Sequence, residues 1–345
     1  MSDIKNIYRS TPRQIKQYIC TCLEAGLVPF LQSSPGMGKS EIVKGIADEA
    51  SLEVIDLRLS TCEPTDLTGL PYFKDGIAMF MPFNIFPLEN TPLPKGKNGW
   101  LLFLDEFNSA PKDVQAAAYK LVLDRMIGNH KLNTNCYIVA AGNLADDKAI
   151  VNNLSTAMQS RVIHLEMQIS FEDWLMDVAL KQGYDSRIIA FLNMNNGKLM
   201  DFNPDHNEKT FCCPRTWSFV NKIIKNNPVD NNIIPLLAGT ITSGVAIEFV
   251  QFVKVFDKLV KLEDVLNNPT STPVPTDKAL MWATVTTLME KVDGTTFQQI
   301  ATYIDRFDLS FKILFYRSLF IRQPMLHSHP AAMKALTKIA KYINY

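Results

Sequence analysis

Five short apolar runs, each giving way to polar or glycine-rich residues, govern what the first half of this chain can become. They are "LVPFLQS" (27–33), "LEVIDLRL" (52–59), "WLLFLDE" (100–106), "CYIVAAGN" (136–143) and "RVIHLEM" (161–167). Near-continuous Val/Ile/Leu/Phe runs of this length mark strands buried on both faces, because a half-exposed strand alternates apolar and polar residues. Helix-patterned segments lie between them, at 39–50 and at "PKDVQAAAYKLVLD" (111–124). Strands alternating with helices imply a parallel sheet, so the expected fold class is α/β with helices on both faces of the sheet.

From about residue 170 the pattern is helical only, in "SFEDWLMDVALKQG", "DSRIIAFLNM", "PRTWSFVNKIIKN" and the long "NIIPLLAGTITSGVAIEFVQFVKVFDKLV". A linker-like stretch, "NNPTSTPVPTD" (267–277), precedes more helices that end in "HPAAMKALTKIAKYINY". The expected division is an α/β core over 1–169, a helical domain over 170–266, and a linker with a helical extension over 267–345. No internal repeat is evident.

Composition narrows the class. At 345 residues and 47% hydrophobic, the chain can bury a sizeable core. Its 35 Lys+Arg balance 35 Asp+Glu, so it lacks the basic excess of a protein that coats nucleic acid, although a local patch stays open. The six cysteines (Cys20, Cys22, Cys62, Cys136, Cys212, Cys213) form no C-x-x-C pair, which fits a reduced, cytoplasmic setting. The N-terminus has no apolar signal-peptide core, and no apolar run approaches the roughly 20 residues of a membrane span.

The chemistry starts at "FLQSSPGMGKSEIV" (30–43), between a buried strand and a helix. Phosphate binding at such a place needs small residues that let backbone N–H groups wrap the anion, a helix N-terminus, and a lysine. Ser34, Pro35, Gly36, Met37 and Gly38 supply the turn, Lys39 the charge, Ser40 a hydroxyl for Mg²⁺, and Glu41 comes next. Ser33 stands where the pattern G-x-x-x-x-G-K-[ST] has its first glycine; if that position needed positive φ, serine would cost about 1–2 kcal/mol. In "WLLFLDEFNSAP", Asp105 and Glu106 end a buried strand, where ligands of open α/β sheets gather. An aspartate there can hold a Mg²⁺ shell, and a glutamate can orient or deprotonate water. Asn143, at the end of "CYIVAAGN", could position that water or touch a phosphate; alone it would be a turn residue.

Together, "SSPGMGKSEIV", "LRLSTCEPTDLTGLPYF", "LLFLDEFNSAPKDVQAAAYKLVLDRMIG", "IVAAGN", "STAMQSRVIHLEM" and "FCCPRTWSFV" resemble the AAA+ ATPases, and within them the MoxR-like or dynein-related branch. The resemblance covers roughly residues 10–225 and implies an AAA+ P-loop NTPase core with an all-α lid and a C-terminal helical extension. It implies that Lys39 and Ser40 are the Walker A lysine and hydroxyl, and Asp105 and Glu106 the Walker B pair. Asn143 would be sensor 1, Arg161 an arginine finger reaching a neighbouring subunit, and Arg215 the sensor 2 arginine of the lid. Guanidinium groups suit these tasks because they contact phosphate oxygens bidentately. Each also has a plainer alternative, Arg161 as a strand-edge residue and Arg215 as the first turn of a helix after Pro214; Arg125 is the reserve trans-acting candidate. The implied cofactors are ATP and Mg²⁺, and the implied assembly is a homo-oligomeric, usually hexameric, ring.

The connection of about forty residues between the second and third runs exceeds an ordinary loop. By resemblance it is a helix-2-type insert, about 61–98. Within it "YFKDGIAMF" alternates around Asp75-Gly76, a hairpin signal, and "MIGNHKLNTNCYI" predicts a second hairpin. The insert's aromatic residues could face a substrate or cover the sheet edge. His327 and His329 lack a supporting metal-ligand cluster, and Lys334, Lys338 and Lys341 fit a solvated helix face. The leading expectation is an ATP-driven ring that remodels a protein partner, for which the resemblance implies a von Willebrand factor A domain protein. A nucleic-acid motor and a slow nucleotide-gated switch are the alternatives.

Overall fold

The computed structural model describes residues 9–147, 152, 154–256, 261–330, 332 and 333. The chain divides into two compact units, residues 1–170 with 203–205, and residues 171–202 with 206–345.

The first unit is built on ten strands: β1 (Arg9–Ser10), β2 (Pro29–Gln32), β3 (Leu52–Arg58), β4 (Leu70–Lys74), β5 (Ile77–Met81), β6 (Gly99–Asp105), β7 (Met126–Ile127), β8 (His130–Lys131), β9 (Cys136–Gly142) and β10 (Ile163–Met167). Six of them form one parallel sheet in the order β1-β10-β2-β9-β6-β3. The α/β architecture with a parallel sheet expected from the sequence is the one observed: all five apolar runs are strands of this sheet. The sixth, β1, pairs Arg9 and Ser10 with Glu166 and Met167; two residues are too few to show a period.

Helices α1 (Pro12–Glu24), α2 (Lys39–Glu49), α3 (Pro64–Thr68), α4 (Lys112–Asp124) and α5 (Thr156–Gln159) complete the unit. In α1, Pro12 opens the first turn and Gln14 Oε1 accepts the Thr11 N–H at 2.9 Å, closing a capping box. Its buried face, Ile15, Ile19, Cys22 and Leu23, keeps the helical period. In β6, Leu101 to Leu104 are fully buried, each such side chain contributing about 1.5–3 kcal/mol. The hairpin signals correspond to β4–β5, turning at Asp75-Gly76, and to β7–β8. The β4–β5 ribbon exposes Phe73, Ile77 and Met81; His130 Nε2 lies 3.1 Å from the Phe80 carbonyl oxygen at its base.

The second unit is helical: α6 (Phe171–Asp173) running into a wide π turn (Trp174–Ala179), α7 (Ser186–Met194), α8 (Pro214–Ile224), α9 (Ile234–Ile241), α10 (Ser243–Phe256), α11 (Leu262–Asn267), α12 (Lys278–Lys291), α13 (Phe297–Ile304) and α14 (Leu309–Arg322). Phe191 packs against Trp217 and Phe249 with ring centroids 5.8 and 5.4 Å away. The long apolar segment read as one helix is two, α9 and α10, broken at Thr242 with φ 79°. Tertiary partners take the freed carbonyls: Thr210 Oγ1 donates to Thr240 O and Cys212 Sγ to Ile241 O. The stretch 267–277 is tied to α13 and the turn after it: Tyr303 Oη donates to Pro273 O, and Arg306 donates to Pro269 O and Thr272 O. His327 stacks on Phe320 and His329 meets Phe297 edge-on. Lys334, Lys338 and Lys341 lie outside the described residues.

Candidate nucleotide site

Strand order creates the site. Because β2, β9 and β6 are neighbours running the same way, their C-terminal ends bring together the loop at 33–38, Asn143, and Asp105-Glu106.

The loop carries no left-handed residue at Ser33, so the strain a serine would feel there does not arise. Gly36 (φ 78°) and Gly38 (φ 90°) take the left-handed turns, which is why glycine stands at both. Gly38 is the N-cap of α2 and has no side chain to cap it. The first main-chain N–H groups of α2 precede the helix's own carbonyls, and Ile42 N–H donates to Gly38 O at 3.1 Å. A helix start whose first N–H groups lack partners favours an anion, and this one is lined by loop backbone as well. Ser34, Pro35 and Ser40 are half-buried, Met37 is buried and Glu41 is exposed on the first turn.

Lys39 folds across the mouth of the loop. Its Nζ donates to Ser33 O at 3.0 Å, Ser33 Oγ at 3.2 Å and Asn143 Oδ1 at 3.2 Å. One ammonium thus joins the ends of β2 and β9. The Ser33 hydroxyl replaces part of what a glycine would leave to solvent. Ser33→Gly should retain turnover within about twofold and shift nucleotide affinity by about threefold, since the carbonyl contact survives. Turnover lost in that variant, measured by phosphate release, would mean the loop depends on the hydroxyl.

Asp105 ends β6 and accepts the Glu106 N–H at 2.8 Å. Burial raises its pKa above the ordinary 3.8, with that hydrogen bond and Lys39 pulling the other way. Asp105 and the Ser40 hydroxyl are oxygen donors of the kind Mg²⁺ takes, and they would be the protein groups to hold it. Glu106 has φ 54°, a left-handed conformation unusual outside glycine and a form of strain that clusters at functional positions. Its carboxylate accepts from Ser60 Oγ, and its Oε1 lies 3.5 Å from Arg58 Nε. Both partners come from the end of β3, where Arg58 is in register with Asp105.

The three arginine candidates lie in different places. Arg161 donates to Ala157 O at 2.7 Å and lies over the Tyr119 ring at 5.1 Å, exposed on its own surface. Arg125 donates to the carbonyls of Asn133 and Cys136, so its guanidinium holds the β7–β8 hairpin to β9. Arg215 is exposed on the first turn of α8, in the second unit, where Thr216 Oγ1 accepts the Cys213 N–H. The sequence reading missed Arg58, Ser60 and Asn108, and also Asp147, whose Oδ1 accepts from Ser34 Oγ at 3.1 Å. Burial raises the Asp147 pKa.

No protein-family model matches the chain, and no curated protein does. Among solved structures it is similar to a Cytophaga hutchinsonii protein provisionally named an ATPase, with 14% identity over 96% of this chain and 89% of that one and a TM-score of 0.37. It is similar to the RuvB Holliday junction branch migration motor of Thermotoga maritima, with 15% identity over 85% and 87% and a TM-score of 0.36. A full-length MCM homolog from Methanopyrus kandleri gives 20% identity over 44% and 33% and a TM-score of 0.30. These are loose likenesses, and the chemistry of the site is read from its own residues.

Proposed function

We propose that this chain is an AAA+ ATPase of the MoxR-like or dynein-related kind, hydrolysing ATP with Mg²⁺ to remodel a protein partner. The observation that carries the reading is Lys39, which bridges the phosphate loop to Asn143 while Asp105 and Glu106 stand on the adjoining strand end. In this reading the loop N–H groups and Lys39 bind the β- and γ-phosphates, and Asn143 orients the attacking water. Glu106 accepts the proton that water gives up. Mg²⁺ would neutralise phosphate charge, held by Ser40 and Asp105. The resemblance would give Arg215 the γ-phosphate-sensing role and Arg161 of a neighbouring copy the role of completing the site in a ring, the usual form being a hexamer. The exposed β4–β5 ribbon is the surface that grips the protein partner, for which a von Willebrand factor A domain protein is the favoured candidate.

Shared sites make a distinctive prediction. Lys39→Ala and Arg161→Ala proteins should each release phosphate slowly, and mixing them should restore part of the rate, because some mixed interfaces carry both intact groups. A mixture as inactive as either variant alone would overturn the shared site. Tight, salt-sensitive binding to DNA in a filter assay would overturn the protein-partner reading in favour of a nucleic-acid motor. No described helix is long and apolar enough to cross a membrane.

A further inference from the structure

Asn108 lies in the short 3₁₀ turn Phe107–Ser109 directly after Glu106, and it is only 3% exposed. Its carboxamide grips the main chain of Asn143 at two points: Oδ1 accepts the Asn143 N–H at 3.1 Å, and Nδ2 donates to Asn143 O at 2.8 Å. The last pair in register between β6 and β9 is Leu104 with Ala140. Beyond that pair the ladder stops, and the Asn108 side chain supplies the pair of bonds a neighbouring strand would otherwise make.

Gly142 is shaped to the same contact. A Cβ there would fall 2.1 Å from Asn108 Oδ1 and 2.7 Å from its Cγ, so any larger residue evicts the amide. The held residue then acts outward, since Asn143 Oδ1 accepts from Lys39 Nζ. Asn108 also fastens Asn152, whose N–H its carbonyl oxygen accepts at 2.6 Å.

We propose that Asn108 is a positioning residue: it fixes Asn143, and through it Lys39, relative to the strand end that bears Asp105 and Glu106. The inference rests on the hydrolysis reading above. A buried asparagine that merely satisfied loop backbone would affect stability; one that sets the Asn143 carboxamide should affect the chemical step and leave ground-state binding nearly unchanged.

The test uses the full chain with ATP and Mg²⁺, comparing wild type, Asn108→Ala, Asn143→Ala and the double variant, with hydrogen exchange at the Asn143 amide measured without nucleotide. Asn108→Ala should lower kcat about tenfold or more with KM within about threefold, and the double variant should be no slower than Asn143→Ala alone. Exchange at the Asn143 amide should quicken about tenfold in Asn108→Ala. Asn108→Asp keeps the shape and the acceptor but loses the donor, guarding against misfolding; it should keep the amide protected and still lose kcat. Gly142→Ala should reproduce the kcat loss without adding to that of Asn108→Ala. Wild-type kcat in Asn108→Ala, or losses that multiply in the double variant, would overturn the proposal. A wild-type protein that releases no phosphate overturns the hydrolysis reading and not the clamp, which exchange then decides: quickened exchange sustains it and unchanged exchange overturns it.

Discussion

Lys39→Ala is expected to weaken ATP binding by about 10- to 100-fold and to reduce phosphate release to background at ordinary ATP concentrations. The size reflects what Lys39 does in the loop. Hydrogen bonds to a charged group contribute about 1.5–3 kcal/mol, and alanine removes a cation already aimed across the loop mouth. Of its oxygen partners, Asn143 Oδ1 is half-buried and can turn to water, while Ser33 is fully buried and retains its Oγ bond to Ser34 O, so the fold should survive with a loss of about 1–3 kcal/mol of stability. Equilibrium titration with a fluorescent ATP analogue, alongside thermal melting, separates the two effects. Binding at wild-type affinity would remove the loop from the nucleotide site altogether. Lys39→Arg should rescue little, because a planar fork cannot reach three oxygens arranged around a point charge.

Much of this architecture was legible in the sequence because it is written locally. A strand buried on both faces must be apolar along its length, so five strands announced themselves, and the Asp75-Gly76 pair marked its hairpin. What was not legible depends on distant partners. The break at Thr242 carries no proline, and its freed carbonyls are taken by Thr210 and Cys212, some thirty residues away in sequence, with separations of 30 and 29. Likewise 267–277 has the composition of a linker, yet Arg306 and Tyr303 bind its carbonyls.

The same division runs through the candidate site. Lys39, Ser40, Asp105 and Glu106 stood out because strand, turn and helix signals surround them within a few residues. Ser60 bonds Glu106 across a separation of 46 residues and Asn108 clamps Asn143 across 35, through strand neighbours that only the sheet order supplies. A signal did exist for Arg58 and Ser60: both stand at the end of an apolar run, so once β3 is set beside β6 they must lie at the Asp105 end of the sheet. The pattern also raised a doubt that geometry removes, since Ser33 takes no left-handed conformation and its hydroxyl is a partner of Lys39.

Glu106→Gln should lower phosphate release about 100- to 1,000-fold while ATP binding stays within about threefold of wild type. A general base contributes about 10²–10⁴-fold, and glutamine keeps the size and the acceptor oxygen but cannot take a proton. Because the left-handed backbone at Glu106 is unchanged and glutamine Oε1 can still accept from Ser60, the melting temperature should move little. The surroundings add a test of opposite sign. The Ser60 hydroxyl and the Arg58 guanidinium engage the carboxylate from the β3 end and so compete with an attacking water for its oxygens. Ser60→Ala frees one of those oxygens and should therefore raise basal phosphate release, by about two- to fivefold, and should do nothing in a Glu106→Gln background. Near-normal turnover in Glu106→Gln would assign the base elsewhere. Asp147, a half-buried carboxylate whose Oδ1 accepts from Ser34 Oγ, would then be the next group to replace.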